Sequence, residues 1–297
     1  MTKPTVVLLV ALAVLDPSVR AGAAELVKAA NFAAVNTEAD EEDPFLSTSG
    51  QAMTFWFSRK TKDKFDILMV QRADGLAPWS KPKMLTEFVR SEVDDRGSVT
   101  FPAGSFPQFL YYATKKDKDT NNFDIYVAVK DDAKKEFVAP APINRVDTDA
   151  DEMHPWLSAK GKELWFSRKT RDGWRVFVAK RDDTKGGQGF DEPELVKELP
   201  PNFCHPTLTK DGNIMYLQGP LEAGKERLGL FVSFKIGKVW GRPIALTMLN
   251  HPQGERGSCS PSLSPEGDTL YFVSDRPESK GGLDIWSVPT VLLKVKR

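Results

Sequence analysis

The sequence predicts an all-β chain closed into a β-propeller of four-stranded antiparallel blades, and three observations carry the prediction. A unit of short strand, glycine turn and apolar strand recurs along the chain. Its copies lie 51–55 residues apart. Two of its segments recur in the same order: Val35-Asn-Thr-Glu-Ala-Asp-Glu-Glu-Asp-Pro-Phe-Leu-Ser47 returns as Val146-Asp-Thr-Asp-Ala-Asp-Glu-Met-His-Pro-Trp-Leu-Ser158, and Trp56-Phe-Ser-Arg-Lys-Thr61 returns letter for letter as Trp165-Phe-Ser-Arg-Lys-Thr170. A fixed period of this length marks an architecture whose units bury their faces only against one another.

In chain order, the first residues read as an export signal. Lys3 supplies a positive start, Val6 to Leu15 an apolar run too short to span a bilayer, and Ala21-Gly-Ala23 a small-residue cleavage site. Residues 1–23 are therefore expected to be removed, leaving 24–297 as one propeller domain outside the cytoplasm, periplasmic or extracellular. No later stretch is long and apolar enough for a membrane-spanning helix.

The first strand of each unit opens with proline, as in Pro44-Phe-Leu-Ser47, Pro155-Trp-Leu-Ser158, Pro206-Thr-Leu-Thr209 and Pro261-Ser-Leu-Ser264, a position where the missing N–H does least harm. Gly50, Gly161, Gly212 and Gly267 then close a turn that needs positive φ. The second strands start at Phe55, Leu110, Leu164, Met215 and Leu270 and are apolar on both faces, as expected inside a sheet covered on both sides. Third strands follow at Phe65-Asp-Ile67, Phe123-Asp-Ile-Tyr126, Trp174-Arg-Val-Phe177, Leu228-Gly-Leu-Phe231 and Leu283-Asp-Ile-Trp286. The outer strand is marked by an aromatic three residues before a proline, at Trp79, Phe137, Phe190 and Trp240, a pattern suited to an edge.

Four outer strands for five units leave one missing. Glu25-Leu-Val-Lys28 is identical to Glu194-Leu-Val-Lys197 in the outer strand of unit three. The N-terminal segment is thus expected to pair with Asp284–Val288 and close the ring at five blades, a sixth, degenerate blade from 290–297 and the N-terminal segment remaining the alternative.

The pattern Pro-x-Leu-Ser-x-x-Gly-x-x-Leu-Tyr-Phe-x-Ser-x-Arg with a later Asp-Ile-Trp, complete in Pro261 to Trp286, resembles the WD40-like propeller repeat of the TolB type found in exported bacterial proteins. Unit two departs from it at Phe101-Pro-Ala and Phe106-Pro107, and unit four at Gln218-Gly219. The resemblance implies a binding or scaffolding protein without catalytic residues. Its partner would be a protein or a cell-envelope component such as a polysaccharide or peptidoglycan, bound by a monomer.

Charge narrows the partners further. Lys+Arg and Asp+Glu are each 41, so no net field favours nucleic acid. In a four-stranded meander, the loops entering the first strand and those joining the second to the third share one face. The former are acidic (Glu38 to Asp43, Glu92 to Asp95, Asp149 to Glu152) and the latter basic (Arg59 to Lys64, Lys115 to Lys118, Arg168 to Arg171, Lys225, Arg227, Arg276, Lys280).

The candidate binding surface is this face, centred on Asp43, His154 and His205, which differ from blade to blade just before the inner-strand proline, and rimmed by Arg59, Arg168 and Arg276. These arginines have a second reading as partners of the loop carboxylates. No cofactor is expected, and no metal: the calcium-loop glycine and final glutamate are absent after Asp40-x-x-Asp43, and the histidines lack metal-site spacing. Cys204 and Cys259 occupy equivalent places in adjacent units, a spacing at or beyond the usual limit for a disulfide, and are expected as free thiols although export makes oxidation possible. The alternative function is a glycan-active hydrolase, because Asp43-Pro44 resembles the general-base position of five-bladed glycoside hydrolases, although no second acid can be assigned.

Overall fold

A computed structural model describes residues 26–85, 93–101, 108–117, 122–131, 136–182, 189–293 and 295. The expected export signal lies outside them, as do Pro102–Pro107 of unit two.

After β1 (Ala30–Asn31), blade one is β2 (Glu41–Ser49), β3 (Ala52–Thr61), β4 (Lys64–Arg72) and β5 (Lys83–Met84). Blade two is β6 (Asp95–Phe101), β7 (Phe109–Lys115), β8 (Phe123–Asp131) and β9 (Glu136–Pro142). Blade three is β10 (Glu152–Leu157), β11 (Glu163–Thr170), β12 (Gly173–Lys180) and β13 (Glu194–Leu195). Blade four is β14 (Cys204–Leu208), β15 (Ile214–Pro220) and β16 (Leu228–Ile236), edged by β17 (Val239–Trp240) and β18 (Ile244–Ala245). Blade five is β19 (Ser258–Leu263), β20 (Thr269–Ser274) and β21 (Asp284–Pro289), completed by β1. All pairings within the blades are antiparallel.

The first strands touch in a ring, β2 to β6 to β10 to β14 to β19 and back to β2. Five strands therefore surround one axis, and Thr290–Leu292 forms a short 3₁₀ turn rather than a sixth blade. The apolar residues gather into five clusters, one in each gap between neighbouring blades. This is why both faces of the second strands are apolar: Phe55, Trp56 and Phe57 are all buried, one face on blade five and the other on blade two. Gly50, Gly161, Gly212 and Gly267 take the positive φ expected of them, between 60° and 75°.

Closure occurs where the sequence places it, in a different register. The pairs are Ala30 with Ser287 and Asn31 with Trp286, followed by a bond from Phe32 N–H to the Ile285 carbonyl. In blade three, Glu194 pairs with Val178, Leu195 with Phe177, and Val196 N–H bonds the Val176 carbonyl. Phe32 is thus the counterpart of Val196, five residues beyond the Val27 that the shared Glu-Leu-Val-Lys suggests. The aromatic anchor decides the register: the Phe32 ring meets Phe55 at 4.6 Å, Trp79 at 5.6 Å and Tyr271 at 6.1 Å.

Candidate functional site

Each inner strand carries one β-bulge at the same place, between Glu42 and Phe45, Arg96 and Val99, Met153 and Trp156, Cys204 and Thr207, and Cys259 and Ser262. One residue per bulge is left-handed: Asp43 (φ 53°), Gly97 (60°), His154 (56°), His205 (56°) and Ser260 (48°). Such backbone costs about 1–3 kcal/mol for a residue with a side chain, and bulges re-aim side chains. Here the device turns one residue per blade away from its sheet.

As a result Asp43, His154 and His205, from three different blades, meet on the axis. One ligand atom of each lies within 4.8 Å of the other two, and His205 Nδ1 is 4.0 Å from Asp43 Oδ1. The imidazoles stack with ring centres 4.2 Å apart and planes 17° off parallel. Gly97 brings no side chain to blade two's slot; a Cβ there would stand 3.9 Å from Asp43 Cγ.

Hydrogen bonds between blades hold the ring. Gly97 N–H donates to Ser58 Oγ (3.2 Å), His205 N–H to Ser167 Oγ (2.9 Å) and Ser260 N–H to Gln218 Oε1 (2.8 Å). Ser58 Oγ in turn donates to Asp43 Oδ2 at 3.0 Å. The sequence shows this signal as the serine in the repeated Trp-Phe-Ser-Arg-Lys-Thr, although its role emerges only in three dimensions.

Burial sets the charge of the cluster. It pushes His154 well below the usual imidazole range, with His205 and Arg96 adding to the effect. Burial likewise lowers His205 to about 4, against the pull of Asp43. Both rings are neutral at pH 7, and the Nδ1 atom of each is buried without a hydrogen-bond partner.

Above the cluster, on the expected loop face, opens a cleft of about 510 Å³ lined by Glu42, Arg96, Trp174, Glu226, Glu255 and Arg256. Glu42 bridges Arg96 and Arg256, 3.1 Å from each, and Arg256 also reaches Asp40 at 2.8 Å. Burial raises the Glu42 carboxyl; Arg96 opposes this, Asp43 reinforces it, and Arg256 opposes it in turn. Trp174 lies 5.8 Å from the His154 ring. Cys204 and Cys259, free as expected, are buried in the cleft wall, and burial pushes the Cys204 thiol up to about 12.

The structure seats the three arginines elsewhere. Arg59 Nε meets the buried Glu41 at 2.7 Å and its guanidinium also bonds the Val35 carbonyl; Arg168 repeats this with Glu152 (2.7 Å) and Val146 (2.8 Å). Arg276 bonds the Leu249 carbonyl at 2.8 Å. These are buckles between the loop entering a blade and the blade's second strand. Replacing Arg168 by alanine strands the Glu152 carboxylate inside the protein, so thermal melts at neutral pH should show about 3–5 kcal/mol of lost stability; an arginine serving only as a binding rim leaves the melt in place.

The acidic loops have a structural task too. Asp40, Asp94 and Asp151 accept the backbone N–H of Leu283, Phe65 and Phe123, each opening a third strand of the preceding blade. A second carboxylate group, Asp124, Asp147 and Glu152, clusters between blades two and three. There burial, then Asp147, raises Asp124 to about 8, as expected for carboxyls sharing one site.

No protein-family model and no curated protein matches the chain. Solved structures do. The native arabinanase Arb43A of Bacillus subtilis aligns over 88% of this chain and 96% of its own, at 13% identity and a TM-score of 0.58. In fold, the chain is similar to the arabinanases. A glycoside hydrolase family 43 endo-arabinanase from Bacillus licheniformis gives 12% identity and a TM-score of 0.55, covering 86% of this chain and 96% of its own. An exo-1,5-α-L-arabinanase from a bovine ruminal metagenomic library gives 12% and 0.56, covering 86% and 94%.

These neighbours correct the TolB-type, WD40-like resemblance, and with it the expectation of a non-catalytic protein-binding scaffold. The reason is physical: a proline-opened strand, a glycine turn and an apolar second strand suit a four-stranded blade whatever its family. Among the described residues no helix is long and apolar enough to cross a membrane.

Proposed function

We propose that this chain is an exported, glycan-active hydrolase acting in the periplasm or outside the cell, with its site in the cleft above Asp43. The observation that supports the reading is a buried carboxylate, Asp43, aimed onto the axis of a five-bladed propeller beneath a cleft that holds further carboxyls. Glycoside hydrolysis needs two carboxyls with different proton affinities. Asp43 is assigned the base, taking the proton of an attacking water. Glu42, held protonated to higher pH by burial, is assigned the acid that protonates the departing glycosidic oxygen. Trp174 offers an apolar face to a sugar ring. The similarity to arabinanases makes α-L-arabinan the first polymer to test.

Release of new reducing ends from arabinan and a panel of other polysaccharides should be seen with the parent chain. Cleavage should fall as pH rises through the elevated Glu42 value, because the acid is then ionised. Glu42→Gln should cut polysaccharide turnover by about 10²–10⁴-fold, and much less on aryl glycosides whose leaving group needs no proton. A folded parent that releases nothing from any polymer, or an equal loss on both substrate types, overturns the reading.

A further inference from the structure

We infer that the cavity at the far end of the propeller axis, lined by Phe45, Thr100, Phe101 and Trp156, is a second binding site, and that its ligand is a small neutral phenol, one aromatic ring carrying one hydroxyl. It shares no residue with the cleft and stands whether or not the chain cleaves glycans.

The cavity measures about 260 Å³ and is walled by the last residues of the five inner strands and by turns that follow them. The cleft is lined from the first residues of those strands, so the two lie at opposite ends of the axis. At the mouth of the cavity stand Lys210 and Glu266, both exposed and 3.6 Å apart.

The repeat separates what serves the blade from what does not. Just after the bulge, four inner strands carry Leu46, Leu157, Leu208 and Leu263, followed by Ser47, Ser158, Thr209 and Ser264. These recurring hydroxyls brace their own hairpins, accepting from Trp56 Nε1 (3.2 Å) and from the N–H of Glu163 (3.1 Å), Ile214 (3.1 Å) and Thr269 (3.0 Å). Blade two has Thr100 and Phe101 in these two places, which is where its sequence leaves the repeat. Thr100 is 5% exposed, and its Oγ1 is buried with no hydrogen-bond partner among the described residues. An unpaired buried hydroxyl costs stability, and a ligand hydroxyl would pair it. The Phe101 ring is seated against blade three, where a Cβ on Gly161 would stand 2.3 Å from it. With Phe45 and Trp156 it makes three half-buried aromatic side chains around one space.

The wall selects the ligand. A sugar carries a hydroxyl on nearly every carbon, whereas the wall hydroxyls are engaged in hairpins except that of Thr100. A flat apolar ring with one polar atom matches aromatic walls, leucines and a single free hydroxyl. Charged side chains stand only at the mouth among the described lining residues, which suits a neutral molecule. About 150 Å³ of apolar-lined space suffices for benzene, so this cavity admits a substituted ring.

Calorimetric titration of the full chain with 4-methylphenol should show one molecule bound per chain, with a Kd of about 1 mM or tighter and the negative heat-capacity change of a buried ring. Thr100→Val keeps the side-chain shape and removes the unpartnered hydroxyl, so it should melt at or above the parent. It should bind 4-methylphenol about three- to tenfold more weakly, the worth of one net hydrogen bond, and bind toluene as well as the parent does. Parent crystals soaked in 4-bromophenol give a readout that needs no variant: anomalous bromine density should stand in the cavity beside Phe101 and Trp156. The proposal is overturned by an absence of binding at about 10 mM 4-methylphenol, by its displacement with L-arabinose, by an equal loss of both probes in Thr100→Val, or by bromine density confined to the cleft above His154.

Discussion

Asp43→Asn should lower glycan cleavage by about 10²–10⁴-fold, the contribution expected of a general base, while the chain melts close to the parent. Asparagine is the appropriate replacement because residue 43 is left-handed at φ 53°, a conformation that asparagine tolerates and alanine resists. The amide also keeps an oxygen for the Ser58 hydroxyl, which donates to Asp43 Oδ2. What the substitution removes is the carboxylate's capacity to take a proton. Reducing-end assays at matched protein concentration, with melts alongside, separate lost chemistry from lost fold. A variant with parental turnover shows that the base lies elsewhere.

The second large effect is on the ring itself. A chain starting after Phe32 lacks β1 and the aromatic anchor of the closing strand. It loses the pairs to Ser287 and Trp286 and the Phe32 contacts with Phe55, Trp79 and Tyr271. Phe32 is partly buried, so its side chain accounts for part of the about 3–5 kcal/mol lost with a fully buried phenylalanine. The strand pairs add to it, against a total of about 5–15 kcal/mol that holds a typical domain together. The open edge of β21 then becomes available to other chains. Such a chain should be unfolded or aggregated at 25 °C by circular dichroism and light scattering. A chain starting at Val27, which loses Leu26 but keeps β1, should melt like the parent. If the longer deletion folds normally, the closing strand does not carry the stability assigned to it.

Much of this architecture is legible in the sequence because its requirements are local. Proline at the first strand position, glycine at a left-handed turn and apolar residues on both faces of an inner strand each follow from the backbone or from burial, and each recurs with the blade. The closing register is less legible. The closing strand makes only two residue pairs, so its sequence is weakly constrained and the matching Glu25-Leu-Val-Lys28 misleads. Phe32, which sets the register, stands where the other blades carry the aliphatic Leu85, Ile143, Val196 and Leu246, and its ring is accommodated by the Phe55, Trp79 and Tyr271 rings beside it.

The candidate site divides in the same way. Asp43, His154 and His205 stand out in the sequence because they differ while occupying one position in the repeat, and the axis brings them together. The arginines carry the opposite sign of the same rule. Thr37, Glu41 and Arg59 recur as Thr148, Glu152 and Arg168, and residues copied in two blades serve the blade: Thr37 and Arg59 both bond Glu41, and Thr148 and Arg168 both bond Glu152. Glu42 gives no sequence signal, since its neighbours Arg96 and Arg256 come from other blades. Family likeness is illegible for a different reason, because the repeated motif encodes the blade and not the groups on the axis.

An oligosaccharide that the parent cleaves, diffused into crystals of the Asp43→Asn protein, should survive there and gives the most direct test. The predicted result is a sugar chain in the cleft above His154, one ring on Trp174, with a glycosidic bond between residue 43 and Glu42. A sugar chain bound instead in the second cavity, of about 260 Å³ and lined by Trp156, Lys210 and Glu266, with the cleft above His154 empty, contradicts it.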